Sequence, residues 1–180
     1  MAHTELSLAT ALKPLLILLA LANTTACAAD HITRDYRSQP VFDAAKFFDG
    51  HTTGRGTLKV IFHRAERTLV DGNGHVAPDR SIILDQTVRR GRRAPTHRRW
   101  QLHPNGRDGY TGTLTDAAGP VTGRVLGNRL HLTFVMKGGI HAEQWLYLDP
   151  SGRIANNVMT FRKLGVTVGR LDETITHESR

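Results

Sequence analysis

The chain has 180 residues, 39% of them hydrophobic and 22% charged, with a formal net charge of +8. That size and balance describe one ordinary globular domain able to bury a core, and exclude a disordered chain or one embedded in a membrane throughout. The basicity rests almost wholly on arginine and favours anionic surfaces, without choosing among lipid headgroups, cell-wall polymers and nucleic acid.

The first segment carries the clearest organisational signal. Leu15-Leu-Ile-Leu-Leu-Ala-Leu-Ala22 is an apolar run of signal-peptide length, too short to span a bilayer. Lys13 precedes it, and the small residues Asn23-Thr-Thr-Ala-Cys-Ala-Ala29 follow, before an abrupt change to charged sequence at Asp30. The expectation is a cleaved leader over residues 1–28 and export to the periplasm or cell envelope. Cys27, the only cysteine, sits at the cleavage region and leaves two routes open. It is either the lipid-attached first residue of a membrane-anchored lipoprotein, or the centre of an Ala-x-Ala site that departs with the leader. On both routes the folded domain has no disulfide and no cysteine-ligated metal.

Residues 29–40 are polar and predict a flexible tether to a single domain over residues 41–180. Phe42-Asp-Ala-Ala-Lys-Phe-Phe-Asp-Gly50 predicts one short helical turn, with Asp43 as its cap and Gly50 ending it. Everything beyond reads as strands cut by turns. Ile82, Leu84 and Val88 alternate with Asp85, Thr87 and Arg89; Leu130, Leu132, Phe134 and Met136 alternate with His131, Thr133 and Lys137. Turn signals stand at Asp71-Gly-Asn-Gly74, Arg90-Gly91, Asn105-Gly106, Gly119-Pro120, Gly127-Asn128, Gly138-Gly139 and Asp149-Pro-Ser-Gly152. Their spacing predicts an all-β, antiparallel up-and-down barrel of roughly eight to ten strands, closed so that no sheet edge is exposed.

Chemistry-bearing motifs are scarce. The sequence has no Gly-x-Ser-x-Gly, P-loop, dinucleotide glycine fingerprint or His-Glu-x-x-His, so no cofactor is implied. The histidines, among them His51, His63, His75, His97, His103, His131, His141 and His177, are scattered, and no metal site is expected. The densest charge lies between Arg89 and Arg99, where Arg89, Arg90, Arg92, Arg93, Arg98 and Arg99 suit an anionic membrane surface. Nucleic acid is set aside, because only Trp100 is at hand for base stacking and export removes the partner. Trp100, Tyr110, Trp145 and Tyr147 fall on predicted strands and are the candidate ligand wall, although aromatics in a small barrel more often fill the core. The strand around Trp145 is apolar on both faces, with His141, Glu143, Trp145 and Tyr147 opposite Leu146 and Leu148.

Taken together, Phe47-Phe48-Asp49-Gly50, Arg99-Trp100, Tyr110-Thr-Gly-Thr-Leu-Thr-Asp116, Gly127-Asn128, Gln144-Trp-Leu-Tyr-Leu148 and Met159-Thr-Phe-Arg-Lys-Leu-Gly165 with Val168-Gly169 form an ordered set. In order and spacing this set resembles the bacterial envelope family called domain of unknown function 3833, from about Tyr36 to Ile175. The resemblance implies an envelope protein, often lipoprotein-like, with a lipocalin-like barrel. The family's association with enzymes that modify membrane fatty acids implies an acyl-chain or other lipid ligand.

Three functions follow as expectations. The first is a barrel that binds a lipid or other apolar small molecule. The second is an enzyme acting on lipid-derived substrates, for which Asp116 and Glu143 are the tempting carboxylates, with no acid–base partner evident from spacing. The third is a structural envelope module with a filled core. An interior cavity separates the first two from the third.

Overall fold

The computed structural model describes residues 39–178; the expected leader, Cys27 and most of the expected tether lie outside them. One short helix, α1 (Ala44–Phe48), precedes ten strands: β1 (Gly50–Val60), β2 (Glu66–Val76), β3 (Ile82–Arg90), β4 (Thr96–Asn105), β5 (Gly109–Leu114), β6 (Val121–Leu126), β7 (Arg129–Met136), β8 (Ile140–Leu148), β9 (Ile154–Lys163) and β10 (Val166–His177). Each strand pairs antiparallel with its neighbours in sequence, and β10 pairs with β1 to close the barrel. The expected all-β meander is the observed fold.

Alternation decides what faces inward. Along β3, Ile82 and Leu84 are buried while Asp85 and Arg89 are exposed. β7 buries Leu130, Leu132 and Phe134, and β8 buries Ala142, Gln144, Leu146 and Leu148. Period-two burial across paired strands is what a closed sheet around one core requires.

One turn signal was a strand interior. Asp71-Gly-Asn-Gly74 predicts a turn, yet these residues lie within β2. Its glycines serve close approach instead. A methyl group on Gly72 would come 2.6 Å from the Thr52 hydroxyl, and one on Gly74 would overlap the Phe48 carbonyl of α1. Gly74 therefore lets the helix lie against the sheet.

That helix stops one end of the barrel. Asp43 caps it by accepting from the Lys46 amide at 3.1 Å, and Arg80 donates to the same carboxylate at 2.9 Å. His177 Nδ1 lies 3.1 Å from the Phe47 carbonyl at the helix's other end. Phe47 meets Phe48 edge-on at 5.0 Å between ring centroids and lies 5.3 Å from Phe42. All three rings are buried with Ile82, Leu102, Leu130 and Leu146 in the core. The opposite end, ringed by the turns that follow β1, β3, β5, β7 and β9, has no such plug among the described residues.

Candidate functional site

A cavity of about 310 Å³ opens at the unplugged end. Its wall is apolar: Leu58, Val70, Val88, Leu114, Phe134, Met136, Met159, Phe161 and Leu171. Arg90, Asp116 and Lys137 also border it. Such a volume is at the lower end of the roughly 300–1,000 Å³ of small-molecule sites. Behind this wall the glycines of β1 let Glu173 and Thr68 approach the strand closely. A methyl on Gly56 would stand 2.8 Å from Glu173 Cβ and 2.9 Å from the Thr68 hydroxyl, and one on Gly54 would collide with the Glu173 carboxyl.

The cavity ends on Arg98. This residue is in phase with the buried Trp100 and Leu102 on β4, so alternation sends its guanidinium into the barrel. Its Nε donates to Gln86 Oε1 at 2.7 Å, and Trp100 Nε1 donates to the same oxygen at 3.0 Å. The guanidinium carbon lies 5.8 Å from the Trp100 ring centroid. None of the ion pairs among the described residues involves Arg98. Burial lowers its proton affinity, opposed by the charges of Glu173 and Asp116, yet a guanidinium remains charged at any physiological pH. A half-buried cation at the end of an apolar cavity, with no salt bridge of its own, has the chemistry to seat an anion.

Beside Arg98 lies a group of polar side chains in an otherwise apolar interior. Glu173 is 7% exposed, and its Oε2 accepts from Asn157 Nδ2 at 2.8 Å. Burial pushes its carboxyl above the ordinary range, while the Asn157 hydrogen bond and the Arg98 charge oppose this. The acceptors Glu173 Oε1, Asn157 Oδ1, Gln144 Oε1 and Thr68 Oγ1 are buried without a hydrogen-bond partner. A further void of about 30 Å³, bordered by Gln86, Arg98, Trp100, Gln144 and Glu173, reaches from here toward Phe48. Interiors satisfy most buried polar atoms, so this concentration marks the site.

The four expected wall aromatics are not brought together. Trp100 is buried inside the barrel, edge-on to Phe134 at 5.4 Å. Tyr110 packs against the core near the helix-plugged end, bordering a cleft with Phe42, Asp43 and Arg80, and burial pushes its hydroxyl pKa up. Trp145 and Tyr147 project from the outer face, because β8 is phased with Gln144, Leu146 and Leu148 inward. There Trp145 stacks on His131 at 3.9 Å, and Arg129 lies 5.5 Å from the Trp145 ring and 5.8 Å from the Tyr147 ring. Two apolar faces on one strand thus reflect a core face and an outer aromatic stack, rather than a cavity wall and packing outside it.

Nor does the arginine cluster form one surface. Arg98 points inward, whereas Arg99 points out and holds Asp85 through Nε at 2.6 Å and Nη2 at 2.8 Å. Arg89 is exposed, Arg90 borders the cavity, and Arg92 and Arg93 occupy the turn after β3, where Arg93 pairs with Glu66 at 3.0 Å. The two tempting carboxylates also lie apart. Asp116 borders the cavity mouth, while Glu143 is on the outer face with His131 at 3.1 Å and Arg162 at 3.9 Å. Ser81 contacts His103 Nδ1 and Asp79, both at 2.8 Å, but the serine is the middle member. Its proton goes to Asp79, so this is a turn clamp and not an activated nucleophile.

A family profile described as Protein of unknown function (DUF3833) matches residues 21–177. The chain belongs to that family. A search of curated proteins finds no match. Among solved structures, an S-type phycobiliprotein lyase from Guillardia theta is similar, with a TM-score of 0.61 at 8% identity, covering 76% of this chain and 91% of that one. A protein of unknown function from the DUF3598 family of Nostoc punctiforme has a TM-score of 0.57 at 10% identity. That match covers 78% of this DUF3833 chain and about half (51%) of the other. At these identities the likeness is one of fold, and it supports the barrel alone.

Proposed function

We propose that this DUF3833 protein is a binding barrel for one single-chain, anionic amphiphile of the fatty-acid class. The observation that carries this reading is an apolar cavity, open at one end, that terminates on the guanidinium of Arg98, which forms no salt bridge among the described residues. The chain of such a ligand gains about 0.8 kcal/mol for each methylene buried against Leu58, Met159, Phe161 and their neighbours, before ordering costs. Its acidic head meets Arg98, where a charge-assisted hydrogen bond contributes about 1.5–3 kcal/mol. Burial raises the proton affinity of Glu173 beside this seat, which lessens its competition with an acidic head. Export to the cell envelope, expected from residues 1–28, places such a binder among membrane lipids.

Trp100 provides the test, since it shares Gln86 with Arg98. In a Trp145→Phe background, which removes the outer-face fluorophore, titration with a fatty acid shifts or quenches the Trp100 emission saturably at one ligand per chain. Arg98→Met weakens that titration by about 10- to 100-fold, the equivalent of the charged hydrogen bond. Saturable binding that survives Arg98→Met unchanged overturns the assignment of the head group. No binding of any acyl compound overturns the reading as a whole, leaving a structural module in its place.

A further inference from the structure

The open end differs from the rest of the surface in what its turns expose. Phe62, in the turn after β1, is 96% exposed, and Leu164, in the turn after β9, is 93% exposed. Ile61 and Val166 beside them are exposed as well. These two turns are neighbours: β1 pairs with β10, and the Ile61 amide donates to the Val168 carbonyl at 3.0 Å. The apolar tips therefore form one patch at the mouth of the cavity.

Local stability does not explain them. Phe62 has φ 62° and Leu164 φ 50°, left-handed backbone that bulky side chains rarely adopt. Leu164-Gly165 is a two-residue hairpin turn with positive φ at both positions, a conformation for which Asn-Gly is the favoured pair. Leucine there strains the turn and leaves a large apolar group in water. Elements that break local rules in this way are the places to look for function.

Cations surround the patch. Lys59, Arg64, Arg92, Lys137 and Lys163 are exposed at the same end, and none of the ion pairs among the described residues involves them. Apolar tips that project beyond a collar of unpaired cations match an anionic bilayer in both respects, with tips for the acyl region and cations for the headgroups. We infer that the open mouth docks on an anionic lipid bilayer, with Phe62 and Leu164 inserted, so that the cavity faces the membrane that supplies its ligand. The inference rests on the fatty-acid reading for what passes through the mouth, and on the patch alone for the docking.

Position-specific fluorescence isolates this mouth from any contribution of the N-terminal segment. The full chain carries Cys27→Ser, to remove lipid attachment, and either Phe62→Trp or Leu164→Trp. It is mixed with vesicles of phosphatidylglycerol and phosphatidylcholine whose acyl chains are brominated. The new tryptophan is quenched in the anionic vesicles, much less in phosphatidylcholine alone, and progressively less as salt rises. Ile154→Trp, at the plugged end, stays unquenched. The double variant Phe62→Asn with Leu164→Asn lowers vesicle affinity at least 10-fold while melting no lower than the parent, because asparagine tolerates the left-handed turn. Equal quenching at positions 62 and 154, equal affinity for both vesicle types, or unaltered affinity of the double variant overturns the inference. Vesicle-free titration with fatty acid keeps the two readings distinct: the double variant retains that binding, and Arg98→Met weakens it while still docking.

Discussion

At one end of the barrel α1 lays Phe42, Phe47 and Phe48 across the opening and buries them. At the other, Phe62 and Leu164 stand in solvent on strained turns. The charges differ too: Asp43, Asp79 and Asp149 sit around the plugged end, while Lys59, Arg64, Arg92, Lys137 and Lys163 surround the mouth. The same residue type does opposite things at the two ends. A phenylalanine under α1 holds the fold together; a phenylalanine at the mouth contributes almost nothing to it. Between the ends lies Arg98 with its polar neighbours, a polar layer at core positions.

This contrast breaks most visibly at the plug. Phe47→Ala removes a ring that is 3% exposed and packed against two others, and costs about 3–5 kcal/mol in denaturant unfolding. Next in size is the middle layer. Arg98→Met weakens fatty-acid binding about 10- to 100-fold yet leaves thermal stability equal or higher, because it removes a half-buried cation that forms no salt bridge among the described residues. A fall in stability comparable to that of Phe47→Ala would mean that Arg98 is structural.

Glu173 sharpens the comparison through pH. Its proton is held more tightly in the folded state than in the unfolded chain, because burial disfavours the charged form. The stability linked to the protonated carboxyl is therefore complete below the ordinary value of 4.5 and declines as pH rises through the raised folded value. Glu173→Gln, measured by thermal unfolding from pH 4 to pH 8, flattens that decline. An unchanged pH profile would show that Glu173 does not titrate with folding. The smallest effect belongs to the mouth, where Phe62→Asn changes stability by no more than about 0.5 kcal/mol, as for other exposed positions.

Much of this was legible beforehand, for a physical reason. Period-two alternation in residues 81–88 and 130–136 is forced by the pleat, and it emerges as β3 and β7. The helix before Gly50 announced itself by its cap, Asp43. What alternation cannot provide is which face is inner when both are apolar, and so the outward placement of Trp145 and Tyr147 is not readable from it. Glycines also have two uses, turning and making room, and Gly72 with Gly74 belong to the second. The site itself carried a readable signal that a search for motifs passes over. Gln86 is in phase with Ile82 and Leu84, Arg98 with Trp100 and Leu102, Gln144 with Leu146, and Glu173 with Leu171 and Ile175. A polar residue at a core phase, recurring on four strands, is how a barrel writes a polar floor. The arginine run hid it, because Arg98 and Arg99 look alike in sequence and face opposite ways.

Recognition of an anionic head as well as an apolar chain is tested most directly by comparing two ligands of equal chain length. A fatty acid and the corresponding fatty alcohol are titrated into the wild-type protein by isothermal calorimetry, in vesicle-free buffer at neutral pH and below their aggregation thresholds. If Arg98 seats the head group, the acid binds about 10- to 100-fold more tightly than the alcohol, with one molecule of each per chain. Equal affinity for acid and alcohol would contradict the account, leaving a cavity that reads only apolar surface.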